Sequence, residues 1–150
     1  MAKLSVDVIT AERVVYSETE IDAVVAPGAD GEMTVLPSHA PLVTSLAAGE
    51  LRLQKAGADE TYIAVTGGFL EVRDDKVVIL AESAERAEEI DIARAQEARA
   101  RAEKLLANRE SAVDLARVQA ELRRSLVRIK VAERKHRRHG PGGSSGPGVS

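Results

Sequence analysis

The chain has no cysteine and no tryptophan, and its aromatic side chains are one phenylalanine and two tyrosines. Without thiols there is no disulfide framework, thiolate zinc site, iron–sulfur cluster or cysteine nucleophile. An aromatic content of 2% leaves no platform on which single-stranded bases stack. No apolar run approaches the roughly 18 residues that span a bilayer. The start, Met1-Ala2-Lys3-Leu4-Ser5-Val6, lacks the apolar core of a signal peptide. An intracellular protein is expected, meeting a membrane only through a partner. Glycine and proline are also missing between Gly68 and Gly140, whereas residues 27–68 hold six glycines and three prolines.

What remains is a soluble globular composition, 44% hydrophobic and 30% charged over 150 residues, enough for one ordinary domain or two small ones. The net charge of −3 conceals two opposite halves. Residues 1–84 carry 6 Lys and Arg against 14 Asp and Glu, a net of −8; residues 85–150 carry 15 against 10, a net of +5. Charge and punctuation change at the same place, so two structural units are expected.

The first half reads as short strands. Leu4, Val6 and Val8 alternate with Ser5 and Asp7, the period of a half-buried strand. Similar runs follow at 21–26, 33–36, 50–54, 61–65, 69–72 and 76–80, the last two closing as a hairpin around Asp74-Asp75. Frequent turns without intervening helices predict an antiparallel sandwich or barrel. From Glu85 onward the chain is dense in Ala, Glu, Arg and Leu, the strong helix formers. Ile92, Ala95, Ala98, Ala102, Leu105 and Leu106 mark one apolar face; Leu115, Val118, Leu122, Leu126 and Ile129 mark a second. Asn108 is a candidate helix stop, and Ser111 with Asp114 a helix start. Two helices joined by about four residues make an antiparallel hairpin. Its faces are thin and rich in alanine, which predicts weak packing. The end is a basic run, Arg134 to His139, followed by a Gly/Pro/Ser stretch that cannot form a core.

Catalytic patterns are scarce. His39 stands alone between prolines, and His136 and His139 lie in the basic tail without a carboxylate frame, so no metal site is expected. Gly67-Gly68 precedes Phe69 rather than a phosphate-binding helix start, and reads as a bulge or a close backbone approach. No serine sits in a Gly-x-Ser-x-Gly elbow. The chain is therefore read as non-catalytic.

The segment Gly31-Glu32-Met33-Thr34-Val35-Leu36-Pro37-Ser38-His39-Ala40-Pro41 resembles the Gly-Glu-x-x-x-Leu-Pro-x-His-Ala-Pro signature of the epsilon subunits of bacterial F-type ATP synthases. Gly67-Gly68-Phe69-Leu70-Glu71-Val72 is similar to a second signature of that family, and Ala84-Glu85-Arg86-Ala87 with Ile90-Asp91-Ile92-Ala93-Arg94-Ala95 to its approach to a helical hairpin. The likeness runs from about Leu4 to Lys135. It implies an antiparallel β sandwich of about ten strands over 1–84, a regulatory helical hairpin over 85–137 and a flexible tail over 138–150. The basic run and tail extend past the usual end of the family's second helix.

The resemblance further implies a non-catalytic rotor subunit of the central stalk, coupling c-ring rotation to the catalytic head. Its partners would be the gamma subunit, the c-ring and, through an extended hairpin, the alpha and beta subunits. Arg123, Arg124, Arg128 and Lys130 would then meet acidic surfaces of that head. One copy per complex, monomeric when isolated, is expected at the cytoplasmic side of a bacterial cell membrane. Glu32 matches the acidic residue presented to the c-ring, and His39, placed on the same rigid turn, the histidine near gamma and the ring. Ile90, Asp91, Arg94 and Ala95 match the nucleotide motif of ATP-binding members, with Arg101, Arg124 and Arg128 adding positive charge. No cofactor is required on this reading; ATP is a regulatory ligand. The same residues also fit a simpler role, Asp91 capping a helix and Arg94 as a solvated charge. A stand-alone ATP sensor and a nucleic-acid-binding basic hairpin are the competing readings. The acidic first half and scarce aromatics weigh against the second.

Overall fold

The computed structural model describes residues 2–108 and 115–138. The Ser111–Asp114 helix start, the His136 and His139 side chains and the Gly/Pro/Ser tail lie outside the described residues. Eight strands come first: β1 (Leu4–Ile9), β2 (Val14–Ile21), β3 (Ala23–Gly28), β4 (Gly31–Val35), β5 (Leu42–Gln54), β6 (Thr61–Arg73), β7 (Lys76–Ala81) and β8 (Ala84–Arg86). A 3-10 turn at Ala87–Glu89 leads to α1 (Ile92–Asn108) and α2 (Leu115–Arg138). The chain forms two compact units, dividing after Arg86.

In the first unit one sheet runs in the order β2-β1-β7-β6-β5-β3-β4, with β8 paired beside β6. Neighbours are antiparallel except β1 and β7, which pair parallel with Ser5 opposite Lys76. The sheet folds over itself at β5 and β6, whose long ladder keeps one register from Leu42 opposite Val72 to Leu53 opposite Thr61. Along β6 the buried side chains change parity, from Ile63 and Val65 to Leu70 and Val72; β5 does the same, from Leu46 to Leu51 and Leu53. A flat strand cannot send odd and even residues into one core. Gly67 and Gly68 make the switch, with φ of 118° and 123°. A Cβ on Gly68 would lie 2.0 Å from the Leu80 carbonyl oxygen, so no other residue fits there.

The expected pieces at 61–65 and 69–72 are thus one strand, and the described residues contain eight strands rather than about ten. The resulting two layers enclose a core that includes Leu4, Val6 and Val8 of β1, Ile21 of β2, Val24 of β3, Leu53 of β5, Ile63 and Leu70 of β6 and Ile79 of β7. Each such buried aliphatic contributes about 1.5–3 kcal/mol. β2 showed no alternation in the sequence because it is an edge strand. Val15 and Tyr16 are buried side by side, and Ser17, Glu18, Thr19 and Glu20 face solvent. Glu85 and Arg86 are strand, not helix, because β8 pairs with Ile63–Val65 of β6. The ladder outweighs their helix propensity. Arg86 also lies over the Tyr16 ring, 5.8 Å from its centroid.

In the second unit α1 and α2 pack on each other. Ala95 and Ala102 are the buried positions of α1, while Val118, Ser125, Ile129 and Ala132 form a buried stripe on α2. The steps of that stripe fit a narrow seam of period 3.5 once half-buried Leu122 is included. Leu105, Leu115 and Leu126, expected on the apolar faces, are instead exposed. A seam centred on alanines lets the helices approach closely and leaves the larger residues at its margins. Ser125 is buried without cost to the seam, its hydroxyl donating to the Glu121 carbonyl at 3.0 Å.

Candidate functional site

The sequence placed Glu32 and His39 on one rigid turn; the structure separates them to opposite ends of β4. Three further strand residues, Met33 to Val35, at about 3.3 Å each, and then Leu36-Pro37-Ser38 intervene, and Glu32 stands beside the two-residue β3–β4 turn where Gly28 pairs with Gly31. Its carboxylate is exposed, 3.5 Å from the Arg52 guanidinium, which also lies 3.8 Å from Glu50. His39 follows Leu36-Pro37-Ser38 in the β4–β5 loop, and its Nδ1 stands 2.7 Å from the Ala40 carbonyl oxygen.

Asp75, in the β6–β7 turn, ties that loop down. Its carboxylate accepts from the Ser38 N–H at 2.6 Å, and its carbonyl accepts from the Ser5 N–H at 2.9 Å. Asp74 and Asp75 have φ of 49° and 59°, the left-handed pair of a type I′ hairpin turn. The His39 loop is therefore fixed to the start of β1 and to the tip of the β6–β7 hairpin. Two prolines stiffen it further.

The outer face of the layer built from β2, β1, β7 and the adjoining halves of β6 and β5 is unusual. Phe69 pairs directly with Leu80, Leu80 with Ile9, and Ile9 with Val14, in an unbroken row across four strands. Phe69 is 57% exposed, Leu80 53% and Val14 58%, and Val43 on β5 reaches 66%. Contiguous exposed apolar side chains of this kind mark docking surfaces. Sequence reading missed them because Phe69 and Leu80 alternate correctly for a strand. Which face they take depends on the turn-over at Gly67-Gly68.

On the second unit Asp91 caps α1. Its Oδ1 accepts from the Arg94 N–H at 3.2 Å, its carbonyl accepts from the Ala95 N–H at 3.0 Å, and its Oδ2 lies 3.9 Å from Arg94 Nε. Both side chains are exposed, 57% and 82%, so that ion pair is worth at most about 1 kcal/mol. Ile90 and Ala95 are buried, leaving Asp91 and Arg94 as the members of the motif that present polar groups.

Helix geometry gathers the four arginines. Arg94 and Arg101 each precede a buried alanine of α1, two turns apart; Arg124 and Arg128 precede buried Ser125 and Ile129 of α2. A residue one step before the seam lies about 100° around a right-handed helix. In an antiparallel pair those two flanks lie on the same side. Among the described residues no cluster of three or more His, Asp or Glu is placed to hold a metal ion. No described helix is long and apolar enough to cross a membrane.

Comparison with known proteins agrees with this architecture. Residues 3–87 match the beta-sandwich domain of the ATP synthase delta/epsilon chain, and residues 88–133 its long alpha-helix domain. The ATP synthase epsilon chain of Dehalococcoides mccartyi is 60% identical over 140 residues, covering 93% of this chain and 98% of that one. The epsilon chain of Desulforamulus reducens is 51% identical over 134 residues, covering 89% and 100%. Among solved structures, a chain of the Euglena gracilis mitochondrial ATP synthase OSCP/F1/c-ring assembly superposes with a TM-score of 0.69 at 26% identity, covering 90% of this chain and 82% of its own. A chain of the Tetrahymena thermophila central stalk and c-ring shares the fold, with a TM-score of 0.55 at 13% identity over 89% and 96%.

Proposed function

Because the chain belongs to the ATP synthase delta/epsilon family, as a subunit of the rotor stalk rather than the catalytic one, we propose that its sandwich joins the gamma subunit to the c-ring and its hairpin regulates ATP hydrolysis. The observation that carries this reading is the row of exposed Phe69, Leu80 and Val14, continuous through half-buried Ile9. A soluble unit with a complete core has no internal use for large apolar residues in line on its outside. The row is the docking face for gamma. The His39 loop, fastened by Asp75, is a firm corner of the same unit, and Glu32 at the far end of β4 is the c-ring contact. The chain performs no chemistry itself and reaches the cytoplasmic face of a bacterial cell membrane through these partners.

Binding of the full chain to an immobilised catalytic head that contains gamma tests the docking face. Phe69→Ser, which removes an exposed side chain and leaves the core intact, is expected to weaken binding at least tenfold, about 1.4 kcal/mol. Unchanged binding would remove the reading.

The arginine side of the hairpin supports a second element of the proposal, regulatory ATP. Arg94, Arg101, Arg124 and Arg128 offer forked donors to a polyphosphate, and Asp91 an acceptor beside them. ATP held there would favour whichever hairpin state assembles the site, by its differential affinity. Calorimetric titration of the full chain with ATP is expected to show binding tighter than about 1 mM, lost in Arg94→Ala. Heat that persists in the variant would place the nucleotide elsewhere.

A further inference from the structure

The exposed apolar row ends in a built hollow. It has a volume of about 320 Å3 and is lined by Ile9, Thr10, Gly68, Phe69, Leu80 and Glu82, among others. Its walls are held from three directions. The Thr10 N–H donates to the Arg13 carbonyl at 2.9 Å, and the Thr10 hydroxyl accepts from the N–H groups of Glu12 and Arg13 at 3.3 Å each, which shapes the β1–β2 loop. The Glu82 N–H donates to the Gly67 carbonyl at 3.1 Å. The Glu82 carboxyl group stands beside Gly67, its carbon 3.4 Å from where a Cβ on that glycine would lie. The hollow is thus lined mainly by apolar residues, with the one carboxylate of Glu82 among them. Glu82 is exposed and makes no ion pair with the described residues.

We propose that this hollow is a socket for an aliphatic side chain of the gamma partner, flanked by a lysine or arginine that Glu82 engages. The inference rests on the reading of the apolar row as the gamma face and goes beyond it, because it assigns partner chemistry. Its volume is about ten times a water's share of the liquid, room for a branched side chain and the backbone that bears it. An apolar anchor beside a charged contact at the rim is the common form of a binding hot spot. Charge decides against a second copy of this chain. A two-fold dimer through this face would bring together two units of net negative charge, each with 14 acidic residues against 6 basic over 1–84, and offer Glu82 no excess of cations. A cationic segment removes that repulsion and speeds encounter.

The test uses the full chain and the gamma-containing catalytic head, comparing wild type with Glu82→Gln, Glu82→Lys and Leu80→Ser across a salt series. Glu82→Gln should weaken binding several-fold and Glu82→Lys at least tenfold, with both losses shrinking at high salt, while the loss in Leu80→Ser persists. Far-UV circular dichroism and melting confirm that each variant is folded; Glu82 carries no core contact, so both its variants should melt like the wild type. If Glu82→Lys binds like the wild type while Leu80→Ser and Phe69→Ser bind weakly, the gamma face stands and the socket is overturned. If the wild type does not bind, the gamma-face reading fails and the socket with it. Self-association of the wild type that Glu82→Lys abolishes would assign the hollow to a second copy and overturn the proposal.

Discussion

The two units solve the problem of holding together in opposite ways. The sandwich buries branched and long aliphatics such as Leu4, Ile21, Leu51, Leu53, Ile63 and Ile79, which are fully enclosed. The hairpin buries alanines on α1, and on α2 a mixed stripe of Val118, Ser125, Ile129 and Ala132 together with Val131, while Leu105, Leu115 and Leu126 remain exposed. An alanine removes far less apolar surface from water than a leucine, so the seam gains less from closure. On the proposed reading the sandwich, with its larger buried core, is the coupling piece. The thinner seam of the hairpin supports its proposed regulatory role, since less burial is given up on opening.

The sharpest way to break this comparison is Gly68→Ala. The added methyl collides with the Leu80 carbonyl and the residue is held at φ 123°, so the sandwich should lose roughly 3 kcal/mol or more. Chemical denaturation followed by tyrosine absorbance reports it, since Tyr16 and Tyr62 lie in the sandwich. A loss below about 1 kcal/mol would mean that β5 and β6 turn over by another route. Overfilling the hairpin is next. Ala102 is fully enclosed, and Ala102→Leu should cost about 1–3 kcal/mol in the helical transition seen at 222 nm, leaving the tyrosine signal in place. If instead it stabilises the helices, the seam is loose rather than tight.

Smaller effects sharpen the picture at the edges of each unit. Asp91→Ala removes the α1 cap and should cost about 1 kcal/mol of helix stability, whether or not ATP binds. Asp91→Asn should retain most of it, because the amide oxygen still accepts from the Arg94 N–H. Asp22 gives the smallest effect. The Lys3 ammonium and then the Ala56 N–H hold its carboxyl below the ordinary aspartate range. Its folded-state value is thus below its unfolded one, so its contribution is present above about pH 4 and is lost as the pH falls through the folded value. The acid-melting difference between wild type and Asp22→Asn should vanish there; a constant difference at all pH values would assign the effect to packing.

The alternation of Leu4, Val6 and Val8, the Asp74-Asp75 turn and the helix-forming stretch from Ile92 onward are local patterns, and each produces the expected element because no distant pairing opposes it. The family signatures lie in that same local record. The sequence by itself determined the division into a strand-rich first part and a helical second part and the family, while β2 and β8 escaped it. Tertiary structure decided what depends on pairing across distance. Glu85 and Arg86 became strand because β6 offered a ladder. Glu32 and His39 came apart because β4 is extended between them. Phe69 and Leu80 turned outward because two glycines roll the sheet over. Backbone periodicity tells which residues share a face, but only the folded sheet decides whether that face meets the core or the solvent.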